Sequence, residues 1–334
     1  PDSSHGTNPA SAAIAGYQVK VIPTGADGYM DLNEYKKHLN EDVAAVMLTC
    51  PDTLGIFNPR IKEISDLAHQ VGALMYYDGA NLNAMLGKCR PGDIGFDVVH
   101  LNLHKTFATP HGGGGPGAGP VGVNEKLVEY LPISRVIQRS DQTFALDYNY
   151  PKSIGYIAPF YGNFGVILKA YVYILALGKE GLINAAEIAV LNANYCQARL
   201  KEYYDLAFDK TCMHECVFSA ARQAKNGVHA LDIAKYLIDQ GYHPPTIYFP
   251  LIVKEALMIE PTETESKETL DAFIDTMIQI AELAKNNPSV LIASPLHMPI
   301  KRLDEVRAAR QPDLNWKFVC HCEPAIDSVA GEAI

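Results

Sequence analysis

The chain has 334 residues, of which 28 are basic and 38 are acidic, so its formal net charge is −10. An apolar share of 48% and a charged share of 20% are typical of a folded globular protein and exclude a disordered chain. The net acidity and the lack of a Lys/Arg cluster argue against nucleic acid and anionic membrane surfaces as partners. At about 150 residues per domain, the length predicts two domains, or one large α/β unit with an appendage.

The first two-fifths of the chain alternate helix-like and strand-like segments. Asp31 followed by Glu34 predicts a capped helix that ends at Leu39. Apolar runs and helical periodicity predict further elements in chain order: strands at 43–49, 73–77, 97–103 and 120–123, and a helix at 61–71. Helices between short apolar strands predict a mainly parallel sheet that is covered on both faces.

The pattern changes near residue 163. A long helical region at 166–204 contains no buried-strand signal; a strand at 215–219, a helix at 231–240 and a strand at 246–249 follow. Thr262 with Glu265 predicts the start of a further helix that reaches about residue 285. We therefore expect residues 1–162 to form part of a large sheet domain and residues 163–334 to form a smaller α+β domain.

The cysteines are scattered along the chain, at positions 50, 89, 196, 212, 216, 320 and 322. An odd number without a secretory signal predicts reduced intracellular thiols. The chain begins with Pro1 and not with methionine, which predicts a fragment or a processed form.

Two predicted strands end in residues that can carry chemistry. Asp78 and Lys105 follow neighbouring apolar runs, and in an open α/β sheet ligands bind at the carboxyl ends of the strands. A lysine that forms a Schiff base and a carboxylate that keeps a pyridine nitrogen protonated are the pair that pyridoxal phosphate needs. A structural ion pair, or two exposed loop residues, is the alternative interpretation.

A glycine-rich run at 111–117 follows Lys105. Gly112, Gly114 and Gly117 fit G-x-G-x-x-G, but Pro116 interrupts the match and a strand, not a helix, is predicted downstream. We therefore expect a flexible loop that passes close to a cofactor, or a hinge beside Lys105, and no dinucleotide site.

Two cysteine–histidine groups raise a zinc hypothesis. Cys212, His214 and Cys216 would share one face of a strand, and a second group occupies residues 320–322. Neither has the C-x₂-C spacing of structural zinc sites, so we expect buried or incidental thiols and no metal.

Several long strings resemble glycine decarboxylase, the P-protein of the glycine cleavage system, over residues 1 to about 318. The sequence Val253-Lys-Glu-Ala-Leu-Met resembles the second subunit of the two-subunit bacterial form. The strings are Asp78-Gly-Ala-Asn-Leu-Asn-Ala, His100-Leu-Asn-Leu-His-Lys-Thr-Phe, Pro110-His-Gly-Gly-Gly-Gly-Pro-Gly, Asp2-Ser-Ser-His-Gly-Thr-Asn-Pro-Ala, Arg90-Pro-Gly-Asp, His243-Pro-Pro-Thr and Glu260-Pro-Thr-Glu-Thr-Glu.

The resemblance implies the type I pyridoxal-phosphate fold of aspartate aminotransferase, a mainly parallel sheet domain followed by a smaller α+β domain. It makes Lys105 the Schiff-base lysine and Asp78 the partner of the pyridine nitrogen. It also implies further site residues: Ala80 against the cofactor ring, His104 beside the lysine, His5, Thr7 and Asn8 along the active site, and Thr106 at the cofactor phosphate. Arg302 is our candidate for the glycine carboxylate, with a surface ion pair as the alternative. The family subunit has about another third of chain before residue 1, where the phosphate cradle is expected.

The implied function is pyridoxal 5'-phosphate-dependent decarboxylation of glycine, with transfer of the aminomethyl group to the lipoyl arm of the H-protein. The implied partners are glycine, the lipoylated H-protein and a partner P-protein subunit, with no nucleic acid and no membrane. A bacterial cytoplasm is the expected location, and a mitochondrial one stays open. Another type I enzyme (an aminotransferase or a lyase) and an inactive fragment that only binds partners are the alternatives.

Overall fold

A four-stranded sheet forms the first half of the protein. The computed structural model describes residues 1–115, 117–158 and 160–315. The strands are β1 (Ala45–Thr49), β2 (Leu74–Gly79), β3 (Val98–Leu101) and β4 (Val121–Val123), in that spatial order. The first three are parallel and β4 is an antiparallel edge strand. The register aligns Thr49 with Asp78 and Asp78 with His100, so that three polar side chains meet where the strands end.

Helices cover this sheet in the alternating order that the sequence predicts. They are α1 (Thr7–Ile14), α2 (Leu32–His38), α3 (Ile61–Gln70) and the single turn α4 (Leu103–Thr106), with 3₁₀ turns at Leu82–Ala84, Pro91–Ile94 and Glu125–Tyr130. The Asp31 side chain caps α2 by accepting from the backbone N–H groups of Asn33 and Glu34. Ile61, Ile64 and Ala68 recur on one side of α3 and are buried in the core of the sheet.

A hairpin and one long helix connect this sheet to the rest of the chain. The hairpin consists of β5 (Arg135–Gln138) and β6 (Phe144–Asp147), and the helix is α5 (Phe164–Leu200). Gly178 interrupts α5 with a left-handed φ of 60°, a conformation that glycine adopts without steric cost. Val166 and Ala170 before this break belong to the first core, whereas Ala193 and Cys196 after it belong to a second core.

The second core lies under a small antiparallel sheet. Its strands are β7 (Asp205–Leu206), β8 (Cys216–Ser219), β9 (Thr246–Ile247) and β10 (Ala256–Ile259), in the spatial order β7-β8-β10-β9. The helices that accompany it are α6 (Ala221–Ala224), α7 (Ala230–Asp239), α8 (Lys267–Asn286), α9 (Pro288–Ala293) and α10 (Glu305–Arg310). Phe218, Ile233 and Met277 are fully buried between sheet and helices.

The parallel sheet and the smaller α+β part agree with the expected fold class. One element begins elsewhere than predicted: α8 starts after Ser266, whose hydroxyl accepts from the backbone N–H of Thr269. Thr262 caps no helix, because its carbonyl accepts from the Asn192 side chain and its hydroxyl contacts Thr264. The domain boundary at residue 162 stays a prediction. Among the described residues, no helix is both long and apolar enough to cross a membrane.

We predict that Ser266→Ala lowers the free energy of unfolding by about 1 kcal/mol, the usual cost of losing a helix cap. Thr262→Ala is the matched control and should change it by less than about 0.5 kcal/mol, as exposed substitutions do. Urea denaturation followed by circular dichroism measures both. A larger loss for Thr262→Ala would mean that the helix begins where the sequence pattern placed it.

Candidate active site

The Asp78 carboxylate is the buried acceptor at the carboxyl end of β2. Its Oδ1 accepts from the backbone N–H of Ala80 at 3.0 Å and lies 3.2 Å from His100 Nε2. Its Oδ2 accepts from Asn8 Nδ2 and Thr49 Oγ1, both at 3.0 Å. Asp78 is only 5% exposed, so protein donors from α1, β1 and β3 take the place of water around it.

These donors decide the charge of Asp78. Burial alone would raise its pKa, but the hydrogen bonds from His100, Ala80 and Asn8 outweigh burial and lower the pKa to about 2. The carboxylate is therefore ionised at neutral pH and can only accept. It follows that His100 donates from Nε2 to Asp78, while its Nδ1 lies 2.8 Å from the Tyr76 hydroxyl.

Lys105 lies on α4, which begins directly after the neighbouring strand β3. The lysine side chain is exposed at the wall of a cavity of about 840 Å³, together with His104 and Thr106. Residues 241–246 and 258–265 of the smaller sheet region form the opposite side. The amine and the Asp78 carboxylate thus come from adjacent strand ends, where an α/β sheet binds its ligands.

His104 is a neutral base candidate beside this lysine. Burial, followed by the charges of His111 and Lys105, lowers its pKa below the usual value. Among the residues that the structure describes, its buried Nδ1 has no hydrogen-bond partner, and its ring lies 4.4 Å from that of His111. A Cβ on Gly117 would lie 3.4 Å from Nδ1, so the glycine-rich segment passes next to the site, as expected.

A chain of hydrogen bonds connects Thr106, the residue after Lys105, to the smaller sheet. Thr106 Oγ1 donates to Asn83 Oδ1 at 2.6 Å, and Asn83 Nδ2 donates to Glu260 Oε1 at 2.9 Å. Glu260 follows β10 and lines the cavity. Asn81 makes a parallel link, since its Nδ2 donates to Glu215 Oε1 at 3.0 Å.

The remaining predicted site residues lie in different places. Asn8 and Ala80 contact Asp78. His5 precedes α1 and Thr7 is its first residue; both are exposed, and His5 Nδ1 accepts from the Thr7 N–H. Arg302 does not contact these residues. Its guanidinium pairs with Asp232 at 2.7 Å and donates to the Ser294 carbonyl.

Sequence reasoning missed the roles of Thr49, Asn83, Glu215 and Glu260. Thr49 had a usable signal, because it ends a predicted strand at the same sheet edge as Asp78. Cys212 and Cys216 are free buried thiols in the second core, and His214 faces carboxylates instead of these sulfurs. The group at 320–322 lies outside the described residues.

Comparison with solved structures and family models defines the fold class of the protein. A solved structure described as glycine decarboxylase (P-protein) of the glycine cleavage system, in inhibitor-bound form, matches with a TM-score of 0.69 and 21% identity over 83% of this chain and 64% of that chain. The family described as aminotransferase class-V matches residues 5–115. The fold is therefore the type I pyridoxal-phosphate fold, as the resemblance implies.

Closer relatives define the family. The "Probable glycine dehydrogenase (decarboxylating) subunit 2" of Caldanaerobacter subterraneus subsp. tengcongensis is 60% identical over 95% of this chain and 65% of its own length. The same description belongs to a protein of Treponema denticola, 56% identical over 97% of this chain and 67% of its own length. The family glycine dehydrogenase, C-terminal domain, matches residues 185–291. The chain belongs to the glycine dehydrogenase (decarboxylating) subunit 2 family, and it spans about 65% of the length of the first of these relatives.

We predict that the stabilisation from ionised Asp78 is present above about pH 4 and is lost as pH falls through about 2, because the pKa is lower in the folded protein than the usual 3.8. The unfolding free energy of the unsubstituted protein, relative to Asp78→Asn, should fall by roughly 2 kcal/mol between pH 6 and pH 2. Urea titrations at each pH measure this. The exposed Asp93→Asn variant is the control, and a pH-independent difference for Asp78→Asn would contradict the assigned ionisation.

Proposed function

We propose that this chain carries out pyridoxal-phosphate-dependent decarboxylation of glycine and passes the aminomethyl group to the lipoyl arm of the H-protein. The observation that carries the proposal is the pairing of an ionised, buried Asp78 with the accessible Lys105 amine at adjacent strand ends. Membership in the glycine dehydrogenase subunit 2 family supports the choice of glycine as substrate.

The donor set fits the cofactor. Asp78 is an acceptor that stays negative, as a partner for a protonated ring nitrogen must, and Lys105 is an amine at a cavity wall. A carboxylate has about four acceptor positions, and four donors already surround Asp78, so a ring N–H would share or replace one of them. When bound, the cofactor supplies an electron sink for the pair released as carbon dioxide leaves.

The residues of the chain have separate tasks in this proposal. Lys105 holds the cofactor through its amine, and Asp78 balances the positive charge on the ring nitrogen. Ala80 would lie against the ring, while Asn8 would act through its hydrogen bond to Asp78. His104 can take up a proton at the unpartnered Nδ1.

The other predicted residues keep more general roles. His5 and Thr7 would line the active site, and Thr106 would contact the cofactor phosphate through its hydroxyl, which in this structure donates to Asn83. Arg302 is a weaker candidate for the substrate carboxylate, because its guanidinium is already paired with Asp232.

A partner subunit is part of the proposal. The first half of α5 exposes large apolar side chains, among them Phe164 at 76% and Leu175 at 62%, and the β5–β6 hairpin adds Val136 and Phe144. Exposed apolar patches of this kind mark interaction surfaces, and "subunit 2" in the names of the relatives supports a second P-protein subunit as the occupant. The lipoylated H-protein would dock transiently, and the bacterial relatives support a cytoplasmic location.

Release of ¹⁴CO₂ from carboxyl-labelled glycine, measured with the partner subunit and a lipoylated carrier, tests the function. We expect release to depend on the lipoyl group and to fall at least a hundredfold, about 2.7 kcal/mol in barrier, in both Lys105→Ala and Asp78→Asn. Asp93→Asn is the matched control and should stay within twofold.

Three results would contradict the proposal. If Asp78→Asn released carbon dioxide within a few-fold of the parent, Asp78 would not be the ring partner. A keto-acid product, formed without a lipoyl acceptor, would instead identify an aminotransferase. Binding of the partner subunit with no turnover of glycine in the unsubstituted protein would indicate a non-catalytic binding subunit.

A further inference from the structure

Three side chains that the proposed reaction does not use meet between the two sheets. His214, Glu215 and Glu260 each offer one ligand atom, and these atoms lie within 4.8 Å of one another. His214 and Glu215 directly precede β8 and are buried, whereas Glu260 directly follows β10 and is 44% exposed toward the cavity. We call these three residues the His–Glu–Glu cluster.

The histidine of this cluster lacks the hydrogen bonds that a buried imidazole needs. Its side chain is 2% exposed, and Nδ1 has no hydrogen-bond partner within the described part of the chain. Nε2 faces the two carboxylates at 3.9 Å from Glu215 Oε2 and 3.7 Å from Glu260 Oε1, beyond hydrogen-bond distance. Nε2 is thus a buried nitrogen that is directed at two carboxylates and hydrogen-bonds to neither of them.

The three side chains lie close to the spacing that a metal ion requires. Ligand atoms held at about 2.0–2.2 Å from one ion lie roughly 3.3–3.6 Å from each other in a tetrahedral site. The distances from Nε2, 3.7 and 3.9 Å, exceed this spacing by a few tenths of an ångström, which a small side-chain rotation closes. Among the described residues, neither carboxylate forms an ion pair with a lysine or arginine. Burial raises the pKa of both carboxyls, so a divalent cation that binds here would displace protons from the cluster.

The carboxylates are also held in place from behind, as metal ligands usually are. Asn81 Nδ2 donates to Glu215 Oε1, which leaves Oε2 directed at the histidine, and the same amide contacts the carbonyls of Pro51 and Asp52. Asn83 Nδ2 donates to Glu260, and its Oδ1 is fixed by Thr106. The protein's own hydrogen bonds therefore orient both carboxylates.

We propose that His214, Glu215 and Glu260 bind a divalent transition-metal ion whose open coordination positions face the cavity beside Lys105. One imidazole and two carboxylates suit manganese, iron or zinc, whereas magnesium and calcium prefer oxygen ligands alone. The Lys105 charge acts on all three residues and opposes a cation, so removing it strengthens binding. The site does not depend on the proposed decarboxylation.

Mn²⁺ is the probe of choice, because it prefers oxygen and nitrogen ligands and avoids the cysteines that would capture zinc. The full chain is titrated with MnCl₂, and free Mn²⁺ is read from its electron paramagnetic resonance signal. We expect one bound Mn²⁺ per chain, at least tenfold weaker binding in Glu215→Gln and in Glu260→Gln, and at least threefold tighter binding in Lys105→Met. Glu263→Gln, which lines the same cavity outside the cluster, is the matched control and should stay within twofold.

A second readout separates binding from folding. Mn²⁺ should raise the Tm of the unsubstituted protein and of Glu263→Gln, but not that of Glu260→Gln, because only a bound ion stabilises the folded state. Absence of stoichiometric Mn²⁺, or an equal loss of affinity in Glu263→Gln and Glu260→Gln, would overturn the proposal. So would weaker binding in Lys105→Met, whose exposed position makes misfolding an inadequate explanation.

Discussion

The structure depends on keeping one buried carboxylate ionised. A charge as deeply buried as that of Asp78 is stable only when hydrogen bonds replace its lost hydration. Asn8 of α1, Thr49 of β1 and His100 of β3 supply these bonds, together with the backbone of Ala80. The same contacts fasten α1 to the sheet and require the strand register that aligns these residues. The architecture and the proposed function thus depend on one side chain.

The catalytic candidates and the smaller sheet meet across the cavity. Lys105 and Thr106 come from the parallel sheet, and Glu260 comes from the antiparallel one. The bridge through Asn83 makes the position of α4 depend on how the two sheets pack. A change in that packing would therefore move the lysine and the carboxylates together. The proposed His–Glu–Glu metal site lies at this same junction between the two sheets.

Local patterns predict local features well. The alternation of apolar runs and helical periods predicts β1 to β3 and α3, and the strand ends place Asp78 and Lys105 at one sheet edge. No local sequence pattern predicts the contacts between the two sheets that complete the site. Asn81 and Glu215 are 134 residues apart, and Asn83 and Glu260 are 177 apart, so tertiary packing alone brings them together. The start of α8 was misplaced because Thr262 and Ser266 both fit a capping pattern, and the Asn192 contact to Thr262 is invisible in the sequence.

The central claim is that Lys105, at the strand end beside Asp78, is the residue that holds pyridoxal phosphate. Saturation of the protein with the cofactor, borohydride reduction and peptide mass mapping test it most directly. We predict a single cofactor-derived mass increase, located on Lys105 and absent from Lys105→Ala. A modified lysine elsewhere in the chain, or an equal extent of labelling in Lys105→Ala, would contradict the account.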